Sequence, residues 1–188
     1  VIYLYLLVSY VVGTIMTGYV VTRVMKGKDI RTMGSGNVGA RNAGRLLGKK
    51  GFFITAIGDG LKGLFVVLGA KYFGFTFEIQ ILSLIAVVIG HIWPITLRFK
   101  GGKGIATAVG GLLALSYQPF LIFVGIVLIL FLILRSITFA GMIGFFTVPF
   151  IYWLFDYSYP QCLLILIVVA LLIFAHRDNL KEKLSKRS

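Results

Sequence analysis

Between Ile105 and Leu134 the chain runs for 30 residues without an Asp, Glu, Lys or Arg. A spanning helix needs about 20 such residues. A soluble domain of this length has no interior large enough to hide the stretch. Val1–Thr22 is equally free of charge, and further apolar runs follow. This pattern dictates an all-α integral membrane protein. The composition agrees, with 59% apolar residues and a mean hydropathy of +0.97 over 188 residues, against about 45–50% apolar in soluble domains. Disorder, a coiled coil, a disulfide scaffold and an ordinary cytosolic enzyme are excluded. The one Cys, Cys162, cannot form an internal disulfide or a zinc cluster. Two His, His91 and His176, and six scattered acids point to no metal site and no cofactor.

Hydropathy predicts seven transmembrane helices in one domain over 1–188. Val1–Thr22 reads as a retained helix rather than a signal peptide, lacking a basic start and a small-residue end. The second span runs from Gly51 to Phe73 and the third from Ile79 to Leu97. Ser116-Tyr117-Gln118-Pro119 divides the long apolar run into a fourth and a fifth. Ile137–Phe155 and Pro160–Ala175 are the sixth and seventh.

The basic residues test this count. Of 19 Lys and Arg, 17 fall in the first, third and fifth loops and the C-terminal tail. The opposite side has only Lys71, and Lys62 lies within the second span. Basic loops stay cytoplasmic, so the N-terminus is expected outside and the tail inside. The net charge of +13 is then a membrane signature and not a nucleic-acid one. No internal repeat supports an inverted-repeat transporter.

Three polar clusters lie on the basic side. The first is Gly34-Ser35-Gly36-Asn37-Val38-Gly39-Ala40-Arg41-Asn42-Ala43-Gly44-Arg45. Glycines let backbone N–H groups approach an anion, and Arg45 offers a bidentate phosphate partner. A flexible basic loop lying on an anionic leaflet is the competing reading. Two Asn spaced among the glycines favour phosphate binding. The second cluster pairs Gly90-His91-Ile92-Trp93-Pro94 with Gly101-Gly102-Lys103-Gly104-Ile105-Ala106-Thr107. It places Lys103 at a helix N-terminus, where the dipole also favours an anion. It is not a Walker loop, since the GxxxxGK[ST] spacing is absent. The third is His176-Arg177-Asp178-Asn179, where His176 and Asn179 share a helical face. Asp59 and Lys62 stand three residues apart inside the second span, either as a functional site or as a mutually neutralising pair. Cys162 is about 20 Å along its helix from His176 at ~1.5 Å per residue, too far to serve as a nucleophile there.

With these motifs assembled, the chain resembles the bacterial acyl-phosphate-dependent glycerol-3-phosphate acyltransferases. The resemblance covers nearly the whole sequence and includes Asp59-Gly60-Leu61-Lys62-Gly63 besides the three clusters. Arg41 departs from the Thr common in that family, as does Leu180-Lys181-Glu182 after the last motif. The resemblance implies transfer of a fatty acyl group from acyl phosphate to the 1-hydroxyl of sn-glycerol 3-phosphate, in the bacterial inner membrane with the site on the cytoplasmic face. Lysophosphatidic acid and phosphate would be the products. His176, Asn179, Lys103, Arg45 and Ser35 are the expected catalytic residues. Gly36, Asn37, Gly39, Asn42, His91, Gly101, Gly102, Gly104 and Thr107 are the expected substrate-binding ones, with Asn37 and Asn42 chiefly shaping their loop. Membrane lipid is the surrounding partner, and neither nucleic acid nor an obligate protein partner is implied. His176, His91 and a substrate phosphate oxygen all stand as acceptors for the hydroxyl proton. With no Ser-His-Asp set and no placed Cys, direct attack is favoured over an acyl-enzyme. An anion channel or transporter remains the alternative, and it requires polar residues through the bilayer centre. A non-catalytic assembly subunit would leave the anion motifs unexplained.

Overall fold

The computed structural model describes the backbone of residues 1–185 and the side chains of residues 1–177. The side chains of Asp178 and Asn179 therefore lie outside the described residues. The helices, in order, are α1 (Ile2–Gly13), α2 (Thr17–Lys26), α3 (Ala40–Tyr72), α4 (Phe77–Ile92), α5 (Ile105–Leu115), α6 (Tyr117–Leu134), α7 (Ile137–Leu154) and α8 (Tyr159–Ser185). Short 3-10 turns occupy Ile30–Thr32 and Ile95–Leu97.

Among the described residues, six segments are long and apolar enough to cross a membrane. The seventh expected span is α5, with eleven residues. At ~1.5 Å per residue it covers roughly half of a 30 Å hydrocarbon core. Ser116 ends it in extended backbone (φ −162°), at the break expected from Ser116–Pro119. The predicted first span is two helices. Thr14 Oγ1 donates back to Val11 O at 2.7 Å, a bond that bends helices, and Met16 is extended before α2 begins. The predicted second span has a two-turn extension at its start. Gly48, at φ +70° and ψ −164°, kinks α3 and separates Ala40–Leu47 from the apolar part.

Side-chain contacts fix which ends meet. Tyr5 Oη donates to Val66 O at 2.6 Å and its ring meets Phe73 and Phe75. Lys71 Nζ donates to Leu115 O at 2.9 Å, and Gln161 Nε2 to Glu78 Oε1 at 2.6 Å. The start of α1 thus shares one end of the bundle with the α3–α4, α5–α6 and α7–α8 turns. At the other end Arg31 Nη1 donates to Leu97 O at 2.9 Å, Arg41 Nη1 donates to Thr138 Oγ1, and Trp93 meets Phe174. Every basic loop with described side chains lies at this second end.

Glycine seams set the packing. A β-carbon on Gly63 would strike Thr107 O, and one on Gly110 would strike Gly60 O. This close approach sets α5 beside the middle of α3, so the N-terminus of α5 opens level with Asp59 rather than at the rim. Val67, Leu84, Val88, Leu112, Phe145 and Ile165 anchor the core. Helix α6 buries only Pro119 and Phe123. Its outward Leu, Ile and Phe side chains form a patch no monomeric soluble surface carries, and lipid is the solvent that suits it.

Candidate active site

The glycine-rich loop is built from its two asparagines. Asn42 is buried, and its Oδ1 accepts from Ser35 N at 3.0 Å. Its Nδ2 donates to Met33 O and Asn37 O, both at 2.9 Å. Asn37 Oδ1 accepts from Gly39 N at 2.7 Å. Gly34 has φ +58°, and a side chain there would collide with Asn42 Oδ1. The loop is therefore a fixed shell with Ser35 exposed on its outside and Arg45 exposed one turn into α3. Asn37 and Asn42 spend their side chains on that shell and not outward.

An ion pair anchors the loop to the rest of the end. Arg31 grips Asp29, with Nη2 at 2.6 Å from Oδ2, while its Nη1 holds Leu97 O. The guanidinium keeps the Asp29 carboxyl below its usual range. A lowered carboxylate contributes stability above its unfolded pKa and loses it as pH falls through the folded one. The Asp29–Arg31 pair is thus formed at neutral pH and weakens in acid, while the Arg31–Leu97 bond is made to a carbonyl that does not titrate. This reach of 66 residues leaves no sequence signal.

The second cluster folds inward. After Pro94 the chain turns through Arg98 and Phe99, both at positive φ, and Gly102 N returns to donate to His91 O at 3.0 Å. A β-carbon on Gly101 would strike His91 O, and one on Gly102 the His91 ring. Gly104, at φ +79°, caps α5 in the left-handed region beside Leu172 of α8. Lys103 is half-exposed between these buried glycines. His91 is 2% exposed, with Nδ1 3.2 Å from Thr107 Oγ1, and Thr107 is itself fully buried. His91, Gly102, Gly104 and Thr107, expected at the substrate, lie beneath the surface that Lys103 reaches.

On α8, His176 is 5% exposed and its Nδ1 is 2.8 Å from Leu172 O. A carbonyl only accepts, so Nδ1 carries the proton and Nε2 of the neutral ring has its lone pair free for chemistry. The charges of Lys103 and Arg41 both act on this ring. Gly104, next to Lys103, packs on Leu172, whose carbonyl meets His176, so α3, the turn before α5, and α8 bring Arg41, Lys103 and His176 to the same basic end. Arg41, which stands where the family commonly has Thr, sits in this group and also ties α3 to α7 through Thr138.

The intramembrane charges serve the fold. Lys62 Nζ lies 3.3 Å from Asp59 Oδ1 and donates to Gly13 O at 2.9 Å and Ile15 O at 2.8 Å. An ammonium thus caps the carbonyl end of α1, while Asp59 faces Thr17 at the amide end of α2. Each charge meets the helix pole of opposite sign. Cys162 sits at the far end, its Sγ 3.7 Å from Tyr157 O.

Fold and site together define a multi-pass helical membrane protein with a cationic, histidine-bearing mouth. Residues 3–186 match the family model for glycerol-3-phosphate acyltransferase, and the chain belongs to that family. Glycerol-3-phosphate acyltransferase 1 of Bacillus cereus is 42% identical over 176 residues, covering 94% of this chain and 97% of that protein. Its counterpart from Desulfitobacterium hafniense is 36% identical, covering 96% and 89%. A crystal structure of PlsY (YgiH), an integral membrane glycerol 3-phosphate acyltransferase in its glycerol 3-phosphate form, matches with a TM-score of 0.89. The identity is 32%, covering 100% of this chain and 94% of that one. A lysophosphatidic acid form of PlsY gives 0.86 and 31%.

Proposed function

We propose that this protein, as a single domain in the bacterial inner membrane, acylates the 1-hydroxyl of sn-glycerol 3-phosphate with a fatty acyl phosphate as donor. The observation that carries the reading is the grouping of Arg41 on α3, Lys103 in the turn before α5 and His176 on α8 at the charged end of an apolar bundle. Both substrates present phosphate and one carries a long chain. Phosphates held at a wet cationic mouth leave the chain to lie between helices.

The 1-hydroxyl oxygen attacks the acyl carbonyl, the C–O bond to phosphate breaks, and inorganic phosphate leaves. The leaving group is already activated, so orientation and charge stabilisation supply most of the rate. Lys103, Arg45, Ser35 and Asn179 contact phosphate and the developing oxyanion. The hydroxyl proton passes to His176 Nε2 or to a substrate phosphate oxygen; burial under Gly102 withdraws His91 from that role. The glycerol 3-phosphate and lysophosphatidic acid forms of the PlsY structures support the acceptor and product. The basic end faces the cytoplasm, with the N-terminus on the opposite side.

Purified full-length protein in detergent, given acyl phosphate and glycerol 3-phosphate alone, should release one lysophosphatidate per phosphate. Absence of product from folded protein, or anion flux into proteoliposomes in its place, would overturn the reading.

A further inference from the structure

A buried polar side chain lies directly beneath the Gly101–Gly104 turn. His91, in the last turn of α4, is held from behind by Thr107 Oγ1 at 3.2 Å from its Nδ1, and Asp59 Oδ1 packs 3.8 Å from the same nitrogen, beyond hydrogen-bond reach. Asp59 is in turn held by Lys62, whose ammonium caps the end of α1. On the opposite edge, the three atoms nearest a β-carbon on Gly102 are all from the His91 ring, with Nε2 foremost. The backbone of the turn closes on the same residue, Gly102 N donating to His91 O at 3.0 Å and Gly101 N to Ile92 O at 3.2 Å. The imidazole is therefore clamped between α3 and α5 on one side and the turn on the other. Lys103 is the next residue along.

We propose that His91 is a positioning residue: its ring is the seat of Gly101–Gly102 and so fixes where Lys103 presents its ammonium. Thr107 holds the ring to that task. Only glycine at 102 lets the backbone lie against the imidazole edge. This inference rests on Lys103 being an anion contact, as proposed above.

The test is a double-mutant cycle on the purified full-length chain with Gly102→Ala, His91→Ala and both together. Two readouts are used: turnover with acyl phosphate and glycerol 3-phosphate, and the rise in unfolding temperature caused by inorganic phosphate. A methyl on Gly102 enters the space of Nε2 and displaces the turn; His91→Ala removes the seat. Each single change should lower turnover about tenfold or more and weaken the phosphate-induced shift. Because the effect acts through Lys103, the KM for glycerol 3-phosphate should change no more than it does in Lys103→Ala. In the double variant the methyl has room, so turnover should exceed the product of the two single effects by about tenfold. If Gly102→Ala does not accumulate, recovery of folded protein in the double variant reports the same coupling. Additive losses in both readouts, or no recovery, overturn the proposal. A wild-type chain inactive on these substrates would sink the proposed reaction. The phosphate shift would still show whether His91 and Gly102 are coupled.

Discussion

Arg45 and Lys103 are exposed or half-exposed cations on rigid supports, one on the first turns of α3 and one between two buried glycines. A charged contact that strengthens in the transition state is worth about 2–4 kcal/mol, or roughly 30- to 1000-fold in rate. Arg45→Ala should chiefly raise KM for glycerol 3-phosphate, and Lys103→Ala should also lower turnover. Cys162→Ala should be nearly silent, because the thiol sits against Tyr157 at the far end. Steady-state kinetics on the three folded variants decide the matter, and an inactive Cys162→Ala would revive an acyl-enzyme. The same cations predict that acyl-CoA is a poor donor, since a thioester carries no phosphate at the reacting carbonyl. Comparable turnover with matched acyl-CoA and acyl phosphate would refute that. The residue types of the site were legible in the sequence because Gly, Asn and Arg at that spacing carry their chemistry with them. What was not legible is which way each side chain points. Asn42, expected to shape its loop, does so through Ser35, Met33 and Asn37, whereas His91, expected at the substrate, is turned inside the protein. Only the return of the Gly101–Gly102 turn onto α4 reveals this for His91.

At the scale of the elements, the sequence marks apolar runs well and breaks within them poorly. Ser116–Pro119 shows its break by composition, while Thr14–Met16 does not, because the partner that stabilises it, Lys62, lies 47 residues from Ile15. Lys62 offsets two freed carbonyls and one buried carboxylate at once. Lys62→Met leaves all three without the ammonium, and loss of one partner of a buried pair costs about 3–5 kcal/mol. The thermal unfolding midpoint in detergent should fall accordingly. Adding Asp59→Asn should restore only part of the loss, because Gly13 and Ile15 still lack a donor. Full restoration would show that the break does not depend on the cation. The short α5 has the same kind of origin. Its length was readable, but its depth depends on the Gly60, Gly63 and Gly110 seam with α3, a pairing no single-sequence pattern specifies.

For the whole molecule, the decisive asymmetry is electrical. Among the described side chains, the end bearing the glycine-rich loops gathers 13 of the 15 Lys and Arg. The opposite end has Lys71, and that ammonium is turned onto the Leu115 carbonyl. Each cation near an anionic cytoplasmic surface gains about 1 kcal/mol, so reversing the molecule forfeits many such gains with almost nothing in return. The helix contacts place the start of α1, Gln118 and the α7–α8 turn together at the poor end, and Lys49 and Lys100 at the rich one. In a Cys162→Ala background, Gln118→Cys should therefore react with a membrane-impermeant maleimide added to intact cells. Lys49→Cys and Lys100→Cys should react only after the cells are opened. These side chains are exposed, so protection in intact cells reports the membrane and not burial in the protein. The opposite labelling pattern would place the cationic mouth outside, away from a cytoplasmic supply of phosphorylated substrates, and would refute the proposed orientation and site location together.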